Sequence, residues 1–339
     1  MKTSFQLILS AAILLRAALA MAQVANPDLI AQAKKEGRVV WYTTVSIPES
    51  KQFADMFEKQ YPFIKVDLLR SGSGPLVNRI VSEYAAKNYA ADVLHGMTSR
   101  GGFTVLRQRS IIGRYESPER KYYSPDLKDK DGYWSSTFQN TFVLAYNKRN
   151  VKPDDVPKTY EDLLKPIWKG RQIINDTDNF EWFDGLLKFW GRDKGMAYFR
   201  RLAQQDQIFQ RGARGRIQLV AAGEAPLTIG YGPHAQSFVN QGAPIEWVPL
   251  EPVVVIINGL CIAQRATHPA GARLFIDFLL SKTAQMKLRE MSRIPSRSDV
   301  ESAPPRLIKD FKKMVQDIEN ESMAESIKLF QQTFGLTPG

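Results

Sequence analysis

Ser71-Gly-Ser-Gly74 is the first stretch of this chain whose residue types could do chemistry. It stands directly before a predicted helix, where first-turn N–H groups lack an intrahelical acceptor. Such an end holds an anion through backbone donors, and the helix dipole adds roughly 0.3–2 kcal/mol. Ser71, Gly72 and Ser73 are the candidate contacts, although a plain glycine-rich turn with a serine cap has the same composition. No Gly-Lys-Ser/Thr follows, so this is not a nucleotide P-loop, and it is not a Gly-x-Ser-x-Gly nucleophile elbow. Thr43 and Thr44 follow a predicted strand and could turn short hydroxyls towards a ligand, or simply close a strand-end turn. Thr98 stands in the same relation to a third strand. Asp176 and Thr177 precede Asn179-Phe-Glu-Trp-Phe183. Asp176 could accept from a ligand ammonium or cap a helix. Arg214, in Gly212-Ala-Arg-Gly215, could hold a carboxylate or phosphate with two parallel hydrogen bonds, or be an ordinary surface arginine. Trp134 and Trp182 fall in predicted loops and could stack on a ring, although burial is the commoner use of a large ring. Trp41 reads as core, and the pair Tyr122-Tyr123, in a charged turn-like stretch, reads as surface.

These residues must be positioned by an alternation of strands and helices. Asn26 to Gly37 has the marks of a short capped helix, with Asn26 as cap, Pro27 in the first turn and Gly37 at the end. Strand Arg38–Tyr42, helix Pro48–Tyr61, strand Phe63–Leu69, helix Pro75–Lys87 and strand Ala91–His95 follow. That βαβαβ order predicts a parallel sheet with its loops gathered at the strand C-terminal ends. A second unit has strands Thr141–Tyr146, Gln172–Asn175, Pro226–Tyr231 and Ile245–Pro249. Its predicted helices are Tyr160–Leu164, Phe183–Trp190, Asp193–Gln205 and Gly215–Gly223. The long apolar strand Val253–Ala263 and the amphipathic helix Pro269–Leu280 come next. The tail from Ala303 to Phe334 reads as mostly helical. No flexible linker separates the units, which suggests that strands cross between them.

Composition narrows the function. With 44% hydrophobic and 24% charged residues the chain is globular. The single cysteine, Cys261, excludes an internal disulfide framework, and three scattered histidines make a histidine metal site unlikely. Residues 1–22 read as an export signal: Lys2, an apolar run from Phe5 to Leu15 shorter than a membrane span, and small residues at Ala20 and Ala22. Cleavage after Ala22 removes Lys2 and Arg16, lowering the net charge of +11 by two. An exported chain rarely meets DNA, so nucleic acid is not the expected partner. No Ser-His-Asp order with an elbow and no His-Glu-x-x-His is present, which leaves an exported hydrolase as a minor alternative.

Several motifs in order resemble a known family. They are Val40-Trp-Tyr-Thr-Thr44, Ser71-Gly-Ser-Gly74 with Arg79, Ala91-Asp-Val93, Phe142-Val-Leu-Ala-Tyr-Asn147, Trp168-Lys-Gly170, Leu219-Val-Ala-Ala-Gly-Glu224 and Ala272–Ser281. Through them nearly the whole mature chain resembles the extracytoplasmic solute-binding proteins of ABC transporters, in the subgroup of ferric-ion, thiamine and phosphonate binders. The resemblance implies an α/β, two-lobed type 2 periplasmic-binding-protein fold, with mostly parallel sheets, flanking helices and crossing hinge strands. It implies lobe 1 from 23–139 with 258–295, and lobe 2 from 140–257 with 296–339. A solute would bind in the cleft between them, and the expected partners are that solute and a membrane permease, with the protein a monomer, without cofactor or catalysis. Tyr231 falls where the ferric-ion binders carry two adjacent tyrosines, but its neighbours here are Gly230 and Gly232. Asn140 stands where the family has an arginine beside the crossing strand. With one phenolate, an organic anion (phosphonate, phosphate ester or carboxylate) fits better than ferric iron, which prefers several anionic oxygens. A metal-ion binder of the same fold is the alternative.

Overall fold

A computed structural model describes residues 26–171 and 176–336. The predicted export signal and the predicted strand Gln172–Asn175 lie outside these residues.

The first unit runs α1 (Pro27–Glu36), β1 (Arg38–Thr43), α2 (Ile47–Gln60), β2 (Lys65–Arg70), α3 (Ser73–Ala85) and β3 (Val93–His95). The Asn26 side chain accepts from the Asp28 N–H at 3.0 Å to start α1. Gly37, at φ +67°, ends it. As the alternation predicts, β1 lies between β2 and β3 and is parallel to both. α4 (Gly102–Gln108) and β4 (Ile112–Gly113) lead into the long strand β5 (Ser135–Asn147). Next come α5 (Phe180–Trp190), α6 (Arg192–Ala203), α7 (Ala213–Ala222), β6 (Leu227–Tyr231), α8 (Gly232–Asn240) and β7 (Ile245–Val248). The chain returns along β8 (Val253–Ala263) to α9 (Pro269–Leu280), α10 (Lys282–Glu290) and β9 (Ile294–Pro295), and ends in β10 (Lys313–Val315) and α11 (Met323–Phe334).

β5 and β8 are the crossing strands. β8 runs antiparallel to β3 on one side and to β5 on the other. β5 pairs with β8 through its first half and lies between β6 and β7 through its second, again antiparallel. Parallel pairing is therefore confined to β2-β1-β3 and to β10 on β8. The β5–β8 register slips between Ser136 and Gln139. Such a bulge bends the strand where it passes from one sheet to the other. Gly259 lies at this crossing, where a Cβ would come within 2.4 Å of Ile318 and 2.6 Å of Phe103.

Each half has its own apolar core. Trp41, Phe53, Phe57 and Phe275 pack in the first. Phe142, Trp182, Phe183, Phe199 and Phe330 pack in the second. Trp182 is thus a fully buried helical residue rather than a loop residue. Tyr123 is buried too, and its hydroxyl donates to the Leu280 carbonyl at 2.8 Å, so it is not surface. The tail departs from the helical reading. Pro304 and Pro305 lack N–H groups and admit only one short turn, Pro305–Leu307, and β10 then joins the sheet. Ser296 and Ser298 hydrogen-bond with Thr137 and Tyr122, and Arg297 pairs with Glu119. The segment just after β9 is therefore held against the first half.

Asp184 on α5 fastens the tail. Its carboxylate accepts from Gln316 at 2.9 Å, Asn320 at 2.8 Å and Ser326 at 2.6 Å. Asp184→Ala strands these buried donors and should lower stability by roughly 2–3 kcal/mol in urea unfolding. Limited proteolysis should then cut the tail from Gln316 onwards faster than in the wild type.

Candidate functional site

The loops after β1, β2 and β3 are tied into one wall. The Thr44 N–H donates to the His95 carbonyl at 3.1 Å, and the Ser71 N–H to the Thr43 carbonyl at 3.2 Å. Gly96, at φ +86°, lies under Thr44, where a Cβ would stand 1.9 Å from the Thr44 hydroxyl. Any larger residue there would displace Thr44. Thr43 itself is fully buried, and its hydroxyl accepts from the Val45 N–H at 3.1 Å. It shapes the turn instead of facing a ligand. The Ser73 hydroxyl donates to the Ser99 carbonyl at 3.2 Å, which draws the second and third loops together. α3 starts at Ser73 with Gly72 as its cap residue and no side-chain cap. Thr98 and Gly101 meet Glu181, Ile256 and Gln316 around a narrow cavity, so the third loop reaches the second half of the molecule.

The opposite wall is built on β6 and the starts of α5, α7 and α8. Asp176 is buried, and its Oδ2 accepts from the Gly212 N–H at 2.7 Å and from Arg216 Nη1 at 2.6 Å. Arg216 is fully buried and also donates to the carbonyls of Gln210 at 3.2 Å and Ile229 at 3.1 Å. Asp176 thus ties the start of α7 to the segment before α5, a structural use. Thr177 leans on it, with its hydroxyl 3.4 Å from Oδ1. Arg214 is exposed, with its guanidinium 5.1 Å from the Phe238 ring, at the rim of this wall.

Tyr231 ends β6 and is the residue before α8, a helix with no side-chain cap. Its ring packs edge-on against Phe142 at 5.0 Å and His234 at 5.5 Å. Burial, and then the negative charges of Glu181 and Asp176, push its phenol well above the ordinary value. The phenol therefore stays protonated and is a hydrogen-bond donor at neutral pH. Asn140 lies on β5 between the walls, buried, and its Oδ1 has no hydrogen-bond partner among the described residues. The neighbouring Thr141 hydroxyl is likewise buried without a partner. Buried polar atoms without partners are uncommon, and in a cleft they mark positions for bound groups or water.

Four residues at the site were not singled out from the sequence. Arg216 lies four residues before the buried Val220, on the apolar face of α7, and that spacing was the available signal. Glu49, His234 and Arg293 form a cluster for which sequence carries no local signal. Glu49 accepts from Arg293 Nε and Nη2, both at 2.8 Å, and Arg293 Nη1 lies 3.3 Å from His234 Nε2. Burial alone would raise the Glu49 carboxyl, but the Arg293 hydrogen bonds and charge hold it below the usual carboxylate value. Burial, assisted by Arg293, lowers His234 to about 3, so it is neutral.

Comparison with known proteins agrees with this geometry. Residues 91–317 match the profile of the bacterial extracellular solute-binding proteins. Iron uptake protein A1 of Synechocystis is 29% identical over 248 residues, 67% of this chain and 67% of its own. The periplasmic binding protein AfuA of Actinobacillus pleuropneumoniae, solved with fructose-6-phosphate bound, superposes with a TM-score of 0.78 at 24% identity, over 89% of this chain and 100% of its own. Iron-bound HitA of Pseudomonas aeruginosa superposes with a TM-score of 0.75 at 19% identity, over 87% and 99%. These two structures share the two-lobed α/β fold.

The two arginines of α7 separate structure from surface. Arg216→Met leaves Asp176 buried without its counter-charge and should cost about 3–5 kcal/mol. Arg214→Met should change stability by less than about 0.5 kcal/mol. Chemical denaturation of both variants checks the contrast.

Proposed function

The chain belongs to the bacterial extracellular solute-binding protein family, and on that premise we propose that it serves an ABC importer as its periplasmic component, capturing a small anionic organic solute between its lobes. Lobe 1 comprises residues 23–139 with the returning segment from 258 to about 300, and lobe 2 comprises 140–257 with the tail. Residues 1–22 act as a cleaved export signal, and a membrane permease receives the loaded monomer. The protein acts by binding and closure, without turnover.

The observation that carries the anionic reading is the pair of helix ends on opposite walls. α3 and α8 both begin at the site with no side-chain cap on their N–H groups. Asn26 caps α1, Ser281 caps α10, and the Glu36 carboxylate accepts from the first N–H groups of α9. α2, α4, α6 and α11 also start without a side-chain cap, so what sets α3 and α8 apart is their place directly after β2 and β6, on the two walls. Uncapped ends with the dipole behind them favour a phosphonate, phosphate ester or carboxylate. The Tyr231 phenol and the hydroxyls of Thr44 and Ser71 add neutral donors, whereas the Ser73 hydroxyl already donates to the Ser99 carbonyl. Closure over such a ligand excludes water and strengthens each of these contacts.

A ferric-ion binder is the second reading. It is favoured by the negative charges of Glu181, Asp176 and Asp178, which act on the Tyr231 phenol, although Asp176 is already engaged by Arg216. A thermal-shift screen of phosphonates, phosphate esters, carboxylates and ferric salt separates the two. The anionic reading expects stabilisation by at least one organic anion and no visible charge-transfer band with iron. A purple ferric complex that Tyr231→Phe abolishes, with no shift from any organic anion, would favour the metal.

A further inference from the structure

Arg293 stands between two residues that lie on opposite walls. On one side it grips Glu49 of α2 with two parallel hydrogen bonds of 2.8 Å, and Ser46 donates to the same carboxylate at 2.6 Å. On the other side its Nη1 reaches His234 Nε2 on α8 at 3.3 Å. Its guanidinium also lies 5.2 Å from the ring of Phe138 on β5. The preceding residue, Ser292, holds a positive φ of +58°, and its hydroxyl accepts from Asn240 of α8 at 3.0 Å. The segment is therefore fixed against both halves.

This contact sets the tautomer of His234. A guanidinium has donors and no acceptor, so Nε2 must supply the lone pair. In a neutral imidazole the proton then sits on Nδ1. The positive charges of Arg293, Arg214 and Arg216 all disfavour a second proton, whereas Glu49 favours it. Nδ1 is buried and has no hydrogen-bond partner among the described residues. Nδ1 is the ring nitrogen nearer the backbone, and His234 stands in the first turn of α8, where the helix end has no side-chain cap. The Tyr231 phenol donor is on the adjacent ring. Three kinds of donor thus gather at the start of α8.

We propose that His234 recognises the solute, held by Arg293 as the Nδ1–H tautomer so that it donates to an oxygen of the bound anion. Glu49 keeps Arg293 in place and neutralises it, so the anion is read by a directed N–H rather than by bulk positive charge. This inference rests on the anionic reading above.

Nitrogen-15 NMR of the full chain tests it, since only three histidines contribute. The free protein should show His234 protonated on Nδ1 and bare on Nε2 at neutral pH. Inorganic phosphate should shift the Nδ1 resonance together with the amides of Thr44 and Ser73. His234→Asn places an amide N–H near the Nδ1 position and should keep phosphate affinity within about threefold. His234→Gln places its amide near the Nε2 position, keeps the Arg293 contact, and should lose at least about tenfold. An Nε2–H tautomer, or a Gln variant as tight as the wild type, would overturn the proposal. So would phosphate perturbing Thr44 and Ser73 while His234 stays silent. If no cleft resonance responds to phosphate, to a phosphonate or to a carboxylate, the anionic reading itself fails, and the role of His234 fails with it. If either variant does not fold, the tautomer and titration of the wild type decide the matter.

Discussion

The pairing of β5 with β8 is the constraint on which the rest of this molecule depends. The two strands run antiparallel from Ser135 opposite Leu260 to Thr141 opposite Val255, and both are buried almost throughout. β8 carries the first sheet through β3, and β5 carries the second through β6 and β7. Both walls of the site therefore hang from one pair of strands. The wall of Thr44, Ser71 and Thr98 follows from β1, β2 and β3, and the wall of Tyr231 and His234 follows from β6. A strand pair can bend without breaking its hydrogen bonds, and the bulge between Ser136 and Gln139 places the bend at the passage between the halves. That is the arrangement a cleft needs if its walls are to close as rigid bodies.

Charge plays a different part from the one the composition suggests. The chain carries +11, yet the ionic groups around the site are largely paired: Arg216 with Asp176, Arg293 with Glu49, and Arg211 with Asp178 at 3.4 Å. The first two pairs are largely buried; such pairs add little net stability, but they fix geometry, and breaking one is costly, whereas Arg211 is exposed. On the proposed reading, recognition falls to neutral donors, namely hydroxyls, helix N–H groups, the Tyr231 phenol and an imidazole. Such donors are weak in water and stronger in a closed, dry cleft. A site built this way gains its affinity from closure, which suits a protein that must bind and later release.

Regular elements with strong periodicity were readable from the sequence. Strand Val253–Ala263 and helix Pro269–Leu280 have the bounds their patterns predict. What escaped depends on contacts between distant residues. β5 begins at Ser135, because the polar run Ser135–Asn140 finds partners far along the chain: Ser136 meets Ser296 at 2.7 Å, and Thr137 donates to the Asn258 carbonyl at 3.1 Å. Polar residues of this kind read as loop. β10 is a strand only because β8 offers it an edge. Arg216 looks like a solvated helix residue until Asp176 and two carbonyls enclose it. The hydroxyl loops could be placed at strand ends from the alternation alone. The Glu49–Arg293–His234 cluster joins three separate parts of the chain and could not.

Native mass spectrometry of the exported protein, purified gently with its resident solute, tests the central claim most directly. A single organic adduct bearing a phosphonate, phosphate ester or carboxylate, identified by fragmentation, is the predicted result. An adduct with the mass of ferric iron and no organic anion would contradict it.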